Sequence, residues 1–261
     1  MKLLKYLSCF LCSLFFFSAC EEVIVLDLEK AEKRVIIQAQ LDATAMTASV
    51  LLNKSNGFYE TTTPETISNA NVTLTSEDGQ TYTLNEAEAG VYVANDVLAT
   101  PEQTFTISVE SENETYTAST TTPYPVVLDS LSSDIIVSPF GGEEFISVSA
   151  HWLDLAEIQN FYRIRTFIND TLLADTYNLI TDDFTDGEEM NSFIRNAFDE
   201  DDEVLVKLLN IDKKYYDYFF ELSSVGGGSG DVTPFNPQGN FDNNALGFFG
   251  IYFVSEATIS L

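Results

Sequence analysis

Apolar and polar positions alternate with a period of two along much of the chain. Val35, Ile37, Ala39 and Leu41 share one face of an extended segment. Val72 and Leu74 lead through the turn pair Asp78-Gly79 into Tyr82 and Leu84, the pattern of a hairpin. Phe105, Ile107 and Val109 repeat the alternation, as do Tyr116 and Ala118. About seven short strands punctuated by turns predict an immunoglobulin-like β-sandwich over residues 34–122. The threonines between the apolar positions suit the outer faces of such strands, because a β-branched side chain is stiff at its first torsion and crowds a helical turn.

Beyond residue 125 the alternation continues with larger side chains. Ile146, Val148, Ala150 and Trp152 form one such run, Tyr162, Ile164, Thr166 and Ile168 a second, and Val204, Val206 and Leu208 a third. One segment changes period. Tyr215, Tyr218, Phe219 and Leu222 recur at helical spacing between Asp212, an N-cap residue, and Gly226, a stop signal, which predicts a helix near 212–224. Lys213 and Lys214 oppose the helix dipole in its first turn, so packing must outweigh them. Residues 226–231 read as a flexible glycine-rich loop, and residues 246–254 return as a buried aromatic strand. The expected class is mainly β: a sandwich, then a second β-rich domain at 126–261 with one or two helices.

Composition changes where this second pattern begins. Residues 20–125 contain 7 aromatic side chains and 18 threonines, whereas residues 126–261 contain 21 and 7. The change falls at Thr122-Pro123-Tyr124-Pro125, where two prolines force an extended segment that cannot sustain a hydrogen-bonded ladder. A domain boundary is expected there.

The N-terminus carries an address. Lys2 and Lys5 precede the apolar residues 6–17, a stretch too short for an ordinary membrane-spanning helix but of signal-peptide length. Ser18 and Ala19 then stand directly before Cys20. Phe17-Ser18-Ala19-Cys20 resembles a lipobox with Phe where Leu is usual, so residues 1–19 are expected to be a lipoprotein signal peptide. Cys20 would be the lipid-bearing first residue of the mature chain, and residues 20–33 its tether. Cys9 and Cys12 leave with the signal, which excludes a disulfide and leaves the fold to its core. Each acyl methylene buried in the bilayer contributes about 0.8 kcal/mol, so a multiply acylated Cys20 would hold the protein at the membrane.

Removing the signal takes two lysines and no acid, giving a mature charge of 10 − 41 = −31. Nucleic acid and anionic membrane surfaces are therefore not expected as partners, because phosphate binding requires clustered Lys and Arg.

The candidate chemistry is sparse. His151 is the only histidine, which leaves no two-histidine metal site and no Ser-His-Asp set, and beside Trp152 it reads as structural. Gly227-Gly228-Ser229-Gly230-Asp231 fails the nucleophile-elbow pattern at Asp231 and lacks the ending of a phosphate loop. Asp182-Asp183-Phe184-Thr185-Asp186-Gly187 begins like a calcium loop, yet Phe184 takes a ligand position and Phe193 the place of the closing Glu. Residues 199–203 are five consecutive acids that read as a solvated turn. Neither an enzyme nor a metal or other cofactor is expected.

Several fragments, taken in order, resemble the outer-membrane lipoprotein family known as domain of unknown function 4249. They are Ser68-Asn69-Ala70-Asn71-Val72-Thr73-Leu74, the proline joint leading to Leu128-Asp129-Ser130-Leu131, and Asn160-Phe161-Tyr162-Arg163-Ile164. Lys214-Tyr215-Tyr216-Asp217-Tyr218 and Asn243-Asn244-Ala245-Leu246-Gly247-Phe248-Phe249-Gly250 complete the set. The resemblance implies a lipid-anchored, non-catalytic binding or accessory protein that accompanies a TonB-dependent transporter at the outer membrane. Glu21 and Glu22 resemble the acidic tag that sends such lipoproteins to the cell surface. The alternative is a structural or adhesive surface lipoprotein without a small ligand.

Overall fold

The computed structural model describes residues 32–57, 60, 62–137, 142, 144–173, 177–226 and 236–261. Residues 1–19, expected as the signal segment, nearly all of the expected tether at 20–33, and residues 227–231 of the glycine-rich stretch lie outside them. The described chain is mainly β, as the alternation predicts, and Lys33–Leu261 forms one unit.

Seven strands build the first half: β1 (Val35–Asp42), β2 (Thr47–Lys54), β3 (Asn71–Ser76), β4 (Thr81–Glu88), β5 (Val91–Ala94), β6 (Thr104–Ser111) and β7 (Glu114–Thr121). They run β1-β2-β5-β4-β3-β6-β7 in space. β4 pairs with β5 on one side and β3 on the other, with a register shift between Glu86 and Glu88, so it carries the chain from one layer to the other. The predicted faces are the buried ones. Ile37, Ala39, Leu41, Val72, Leu74, Phe105, Ile107 and Val109 are all at most 1% exposed and share one cluster. On the outer face, hydroxyls pair across strands, Thr106 with Ser119 at 2.7 Å and Thr104 with Thr121 at 3.2 Å. This cross-strand pairing accounts for the threonine richness of this half.

The second half adds β8 (Ser130–Val137), β9 (Glu144–Leu153), β10 (Phe161–Ile168), β11 (Thr171–Leu172), β12 (Asn178–Thr181), β13 (Glu189–Phe198), β14 (Glu203–Ile211) and β15 (Leu246–Ser260). β13, β9 and β8 make a separate three-stranded sheet. Its Val148, Ala150, Trp152 and Ile194 pack on Tyr162, Ile164, Val204, Val206 and Leu208 from β10 and β14. The acidic run forms the turn before β14, with Asp199 N–H donating to the Asp202 carboxylate at 2.9 Å.

β15 joins the halves. It lies antiparallel to β14 on one side and parallel to β1 on the other, with Ile37 opposite Gly247 and Leu41 opposite Ile251. Phe249 and Ile251 enter the core of the first half, while Ala257 and Ile259, further along the same face, pack on the core of the second. The proline joint at 123–125 thus lies between two hydrophobic clusters, and one sheet continues past both.

The helix α1 (Lys213–Gly226) is the one helix among the described residues. Asp212 caps it, accepting the N–H groups of Lys214 at 2.7 Å and Tyr215 at 3.0 Å. Lys213 offsets its unfavourable place near the dipole by pairing with Asp217 at 2.7 Å, one turn on. Tyr215 on α1 joins Phe161, Leu209, Ile211 and Phe248 in a third cluster, which covers the other face of β10, β14 and β15. This sheet region is buried on both faces.

Candidate functional site

β10 positions two of the basic residues of the second half, Arg163 and Arg165. Arg163 is 5% exposed beneath α1, where its Nη1 donates to the Tyr215 hydroxyl at 2.5 Å and its guanidinium lies 4.6 Å from the Phe219 ring centre. The Tyr177 ring is 5.3 Å from the same group. Ring faces and a hydroxyl are among the groups that hold this buried cation.

Two residues on, Arg165 borders an open recess of about 750 Å³ where β11 and β12 both pair with the outer edge of β10 and β13 passes nearby. Tyr177, Asn178, Asn191, Ser192 and Phe193 contribute to its walls. Asn178 Nδ2 donates to Ser192 Oγ at 3.3 Å, tying the two sheets together at the rim. Arg165 Nε is buried and hydrogen-bonds no described residue. A guanidinium with amides and aromatic rings around it suits a ligand that carries an anionic or carbonyl group beside a flat apolar one. The described lining residues include no carboxylate, histidine or cysteine. Arg163 and Arg165 were not singled out from the sequence, since a basic residue within a β run resembles any solvent-facing position.

His151 is placed on β9, half-buried, with its Nε2 hydrogen-bonded to Ser132 Oγ on the neighbouring strand at 2.8 Å. Cys20, Glu21 and Glu22 lie outside the described residues, and among those described no helix is long and apolar enough to cross a membrane. The aromatic residues of the second half, inseparable by sequence, divide clearly. Trp152, Tyr162, Tyr215, Phe248 and Phe249 are buried, whereas Phe184 is 97% exposed and Phe193 and Phe220 are also exposed.

The profile of the family described as domain of unknown function DUF4249 matches residues 21–258, which takes in every described strand except the end of β15. The chain belongs to the DUF4249 family. The match runs across both halves, so the family unit includes the sandwich, the proline joint and the recess. Among solved structures, this DUF4249 member is similar to the crystal structure of chicken CNTN1 FN1–FN3 domains, with 12% identity and a TM-score of 0.27. That likeness covers 68% of this chain and 60% of the other, so the chain spans about 60% of the length of that structure. Comparison with curated proteins gives no match.

Proposed function

We infer that this DUF4249 member is an outer-membrane lipoprotein, held at the cell surface through lipid on Cys20, that acts as a non-catalytic binding or accessory module beside a TonB-dependent transporter. The lipobox-like residues 17–20 and the acidic pair Glu21 and Glu22 support the address. The observation that carries the ligand-handling part is the recess at Arg165, whose guanidinium, amides and rings form a recognition surface with no carboxylate, histidine or cysteine in its described lining. A purely adhesive protein has no need of such a concavity. The exposed Phe184 and Phe193 supply area for protein contact, because aromatic side chains bury much surface at small entropic cost. The mature charge of −31 disfavours loose adhesion to anionic surfaces, so contact depends on a specific patch.

Affinity capture of the full chain from detergent-solubilised outer membranes tests this reading. A transporter should co-purify, and replacing Arg165 with Ala should reduce ligand carried with the complex while the complex itself persists. Capture of the protein with no transporter above background would leave the structural or adhesive reading in its place.

A further inference from the structure

Arg165, Lys207 and Glu256 stand side by side across three strands. Lys207 of β14 is opposite Arg165 of β10 on one side and Glu256 of β15 on the other, so the three side chains leave the sheet on one face. Arg163, two residues before Arg165 on the same strand, shares that face. Three cations and one acid thus gather in a chain that has 12 basic residues against 41 acidic ones. Like charges directly opposite one another in a ladder are destabilising.

The acid of this row is already taken. Lys207 Nζ lies 2.9 Å from Glu256 Oε2. Among the described residues, no carboxylate comes within 4.0 Å of the Arg165 guanidinium, and its buried Nε donates to nothing. Arg34 and Arg163 both have acceptors, the Asn244 carbonyl at 2.6 Å and the Tyr215 hydroxyl at 2.5 Å. Arg165 has the Phe167 ring, whose centre is 5.6 Å from the guanidinium carbon and 5.7 Å from Lys207 Nζ. A ring face attracts both cations but accepts no strong hydrogen bond from either. A half-buried guanidinium without an acceptor is costly, and an anion bound to it offsets that cost.

Arg165 lines the recess at the edge of β10, whose volume of about 750 Å³ falls within the range of roughly 300–1,000 Å³ common among ligand pockets. Leu172, Leu173 and Ile180 line it too. Leu173 and Ile180 also pack on the second hydrophobic cluster, and Leu172 is 37% exposed. A single cation therefore borders an apolar wall.

We propose, resting on the reading of this recess as the ligand site, that its ligand is an organic monocarboxylate whose acid group pairs with Arg165 and whose apolar body lies against Leu172, Leu173 and Ile180. The planar guanidinium fork matches a carboxylate through two parallel hydrogen bonds. Charge number decides against phosphate esters. The net charge of −29 repels every anion, and a dianion twice as strongly, while one guanidinium offsets one negative charge. A neutral ligand would leave the charge of Arg165 uncompensated.

The test titrates the full lipidated chain in detergent by calorimetry, with detergent alone as the blank. Three probes are used: 4-phenylbutyrate, 4-phenylbutyramide, which has the same shape without the charge, and the dianion phenyl phosphate. Saturable 1:1 binding of 4-phenylbutyrate is expected, at least tenfold tighter than that of the amide, with phenyl phosphate weaker than the acid. Arg165→Gln should lose at least tenfold in affinity for the acid and leave the amide unchanged, and Arg165→Lys, which keeps the charge but not the fork, should fall between. Without probe, the Tm of Arg165→Gln should equal or exceed that of the parent, because one like charge leaves the row. A lower Tm would mark Arg165 as a structural residue and overturn the proposal, as would no saturable binding of 4-phenylbutyrate at millimolar concentration. Amide binding as tight as that of the acid would refute the carboxylate and leave the recess a ligand site. Tighter binding of phenyl phosphate would overturn the choice of a monoanion. Co-purification of a transporter reports on the accessory reading separately from all of these.

Discussion

Asp212 and Ile251 exchange two hydrogen bonds: the Ile251 N–H donates to Asp212 Oδ2 at 2.5 Å, and the Asp212 N–H donates to the Ile251 carbonyl at 3.1 Å. The same carboxylate caps α1 and accepts the Thr120 hydroxyl of β7 at 2.9 Å. One buried side chain therefore fastens the helix, the shared strand β15 and the end of the sandwich.

Burial pushes the Asp212 carboxyl up to about 6, against four hydrogen bonds that favour its charged form. Its unfolded value lies near 3.8. Between those values the folded state holds a proton that the unfolded state has released, so the contribution of Asp212 to stability is greatest below pH 4 and declines as pH rises to 6. The decline amounts to about 3 kcal/mol for two units at about 1.4 kcal/mol each. Urea unfolding of the parent and of Asp212→Asn from pH 3.5 to 7 should show the parent losing about that much relative to the variant. A flat difference curve would refute the assignment.

Gly247 faces Ile37 across the parallel pair of β15 and β1, with φ +100° and only 2.0 Å between a built Cβ and the Ile37 carbonyl oxygen. Ala at this position meets both backbone strain and a backbone clash. Gly247→Ala is expected to cost at least about 2 kcal/mol. Thermal unfolding measures it, and an unchanged Tm would mean that β15 is not seated against β1 as described.

A chain beginning at Val126 lacks β1 and leaves Phe249 and Ile251, both at most 1% exposed in the full protein, without their cover. It also lacks Thr120, one of the partners of Asp212. Such a fragment should unfold without cooperativity or aggregate, whereas the 34–261 chain unfolds in one transition. Differential scanning calorimetry separates the two, and a sharp transition in the fragment would show that the second core suffices alone.

Much of the fold was legible because half-buried strands record their faces in the sequence. Val35 to Leu41 and Phe105 to Val109 alternate as they are buried, and the helix announced itself through Asp212, its aromatic spacing and Gly226. The reading thinned where a strand is covered twice. β10 buries Phe161 and Arg163 under α1 as well as Tyr162 and Ile164 against the second sheet, so the alternation of Tyr162, Ile164, Thr166 and Ile168 located the strand and left its second buried face unread. The parallel pairing of β1 with β15 joins residues about 210 apart, and no local pattern encodes it. The composition break at the proline joint tracks the change from one hydrophobic cluster to the next, which composition senses and sheet continuity does not.

Membrane attachment through Cys20 predicts that Cys20→Ala yields a chain without lipid that leaves the membrane fraction. A single acyl chain already gives measurable binding and two or more give stable anchoring, so loss of all of them should shift the protein fully to the soluble fraction. Fractionation with a high-salt wash reads this directly. A variant that stays bound after the wash would place attachment elsewhere in the chain.

The central proposal, that this protein works beside a transporter through protein contacts, is tested most directly by cross-linking in living cells followed by affinity purification and mass spectrometry. The account predicts a TonB-dependent transporter cross-linked to the second half of the chain, with links near Phe184 or Phe193 and reduced recovery when both are replaced by Ala. Recovery of the protein only with itself, or with no transporter above background, would contradict it.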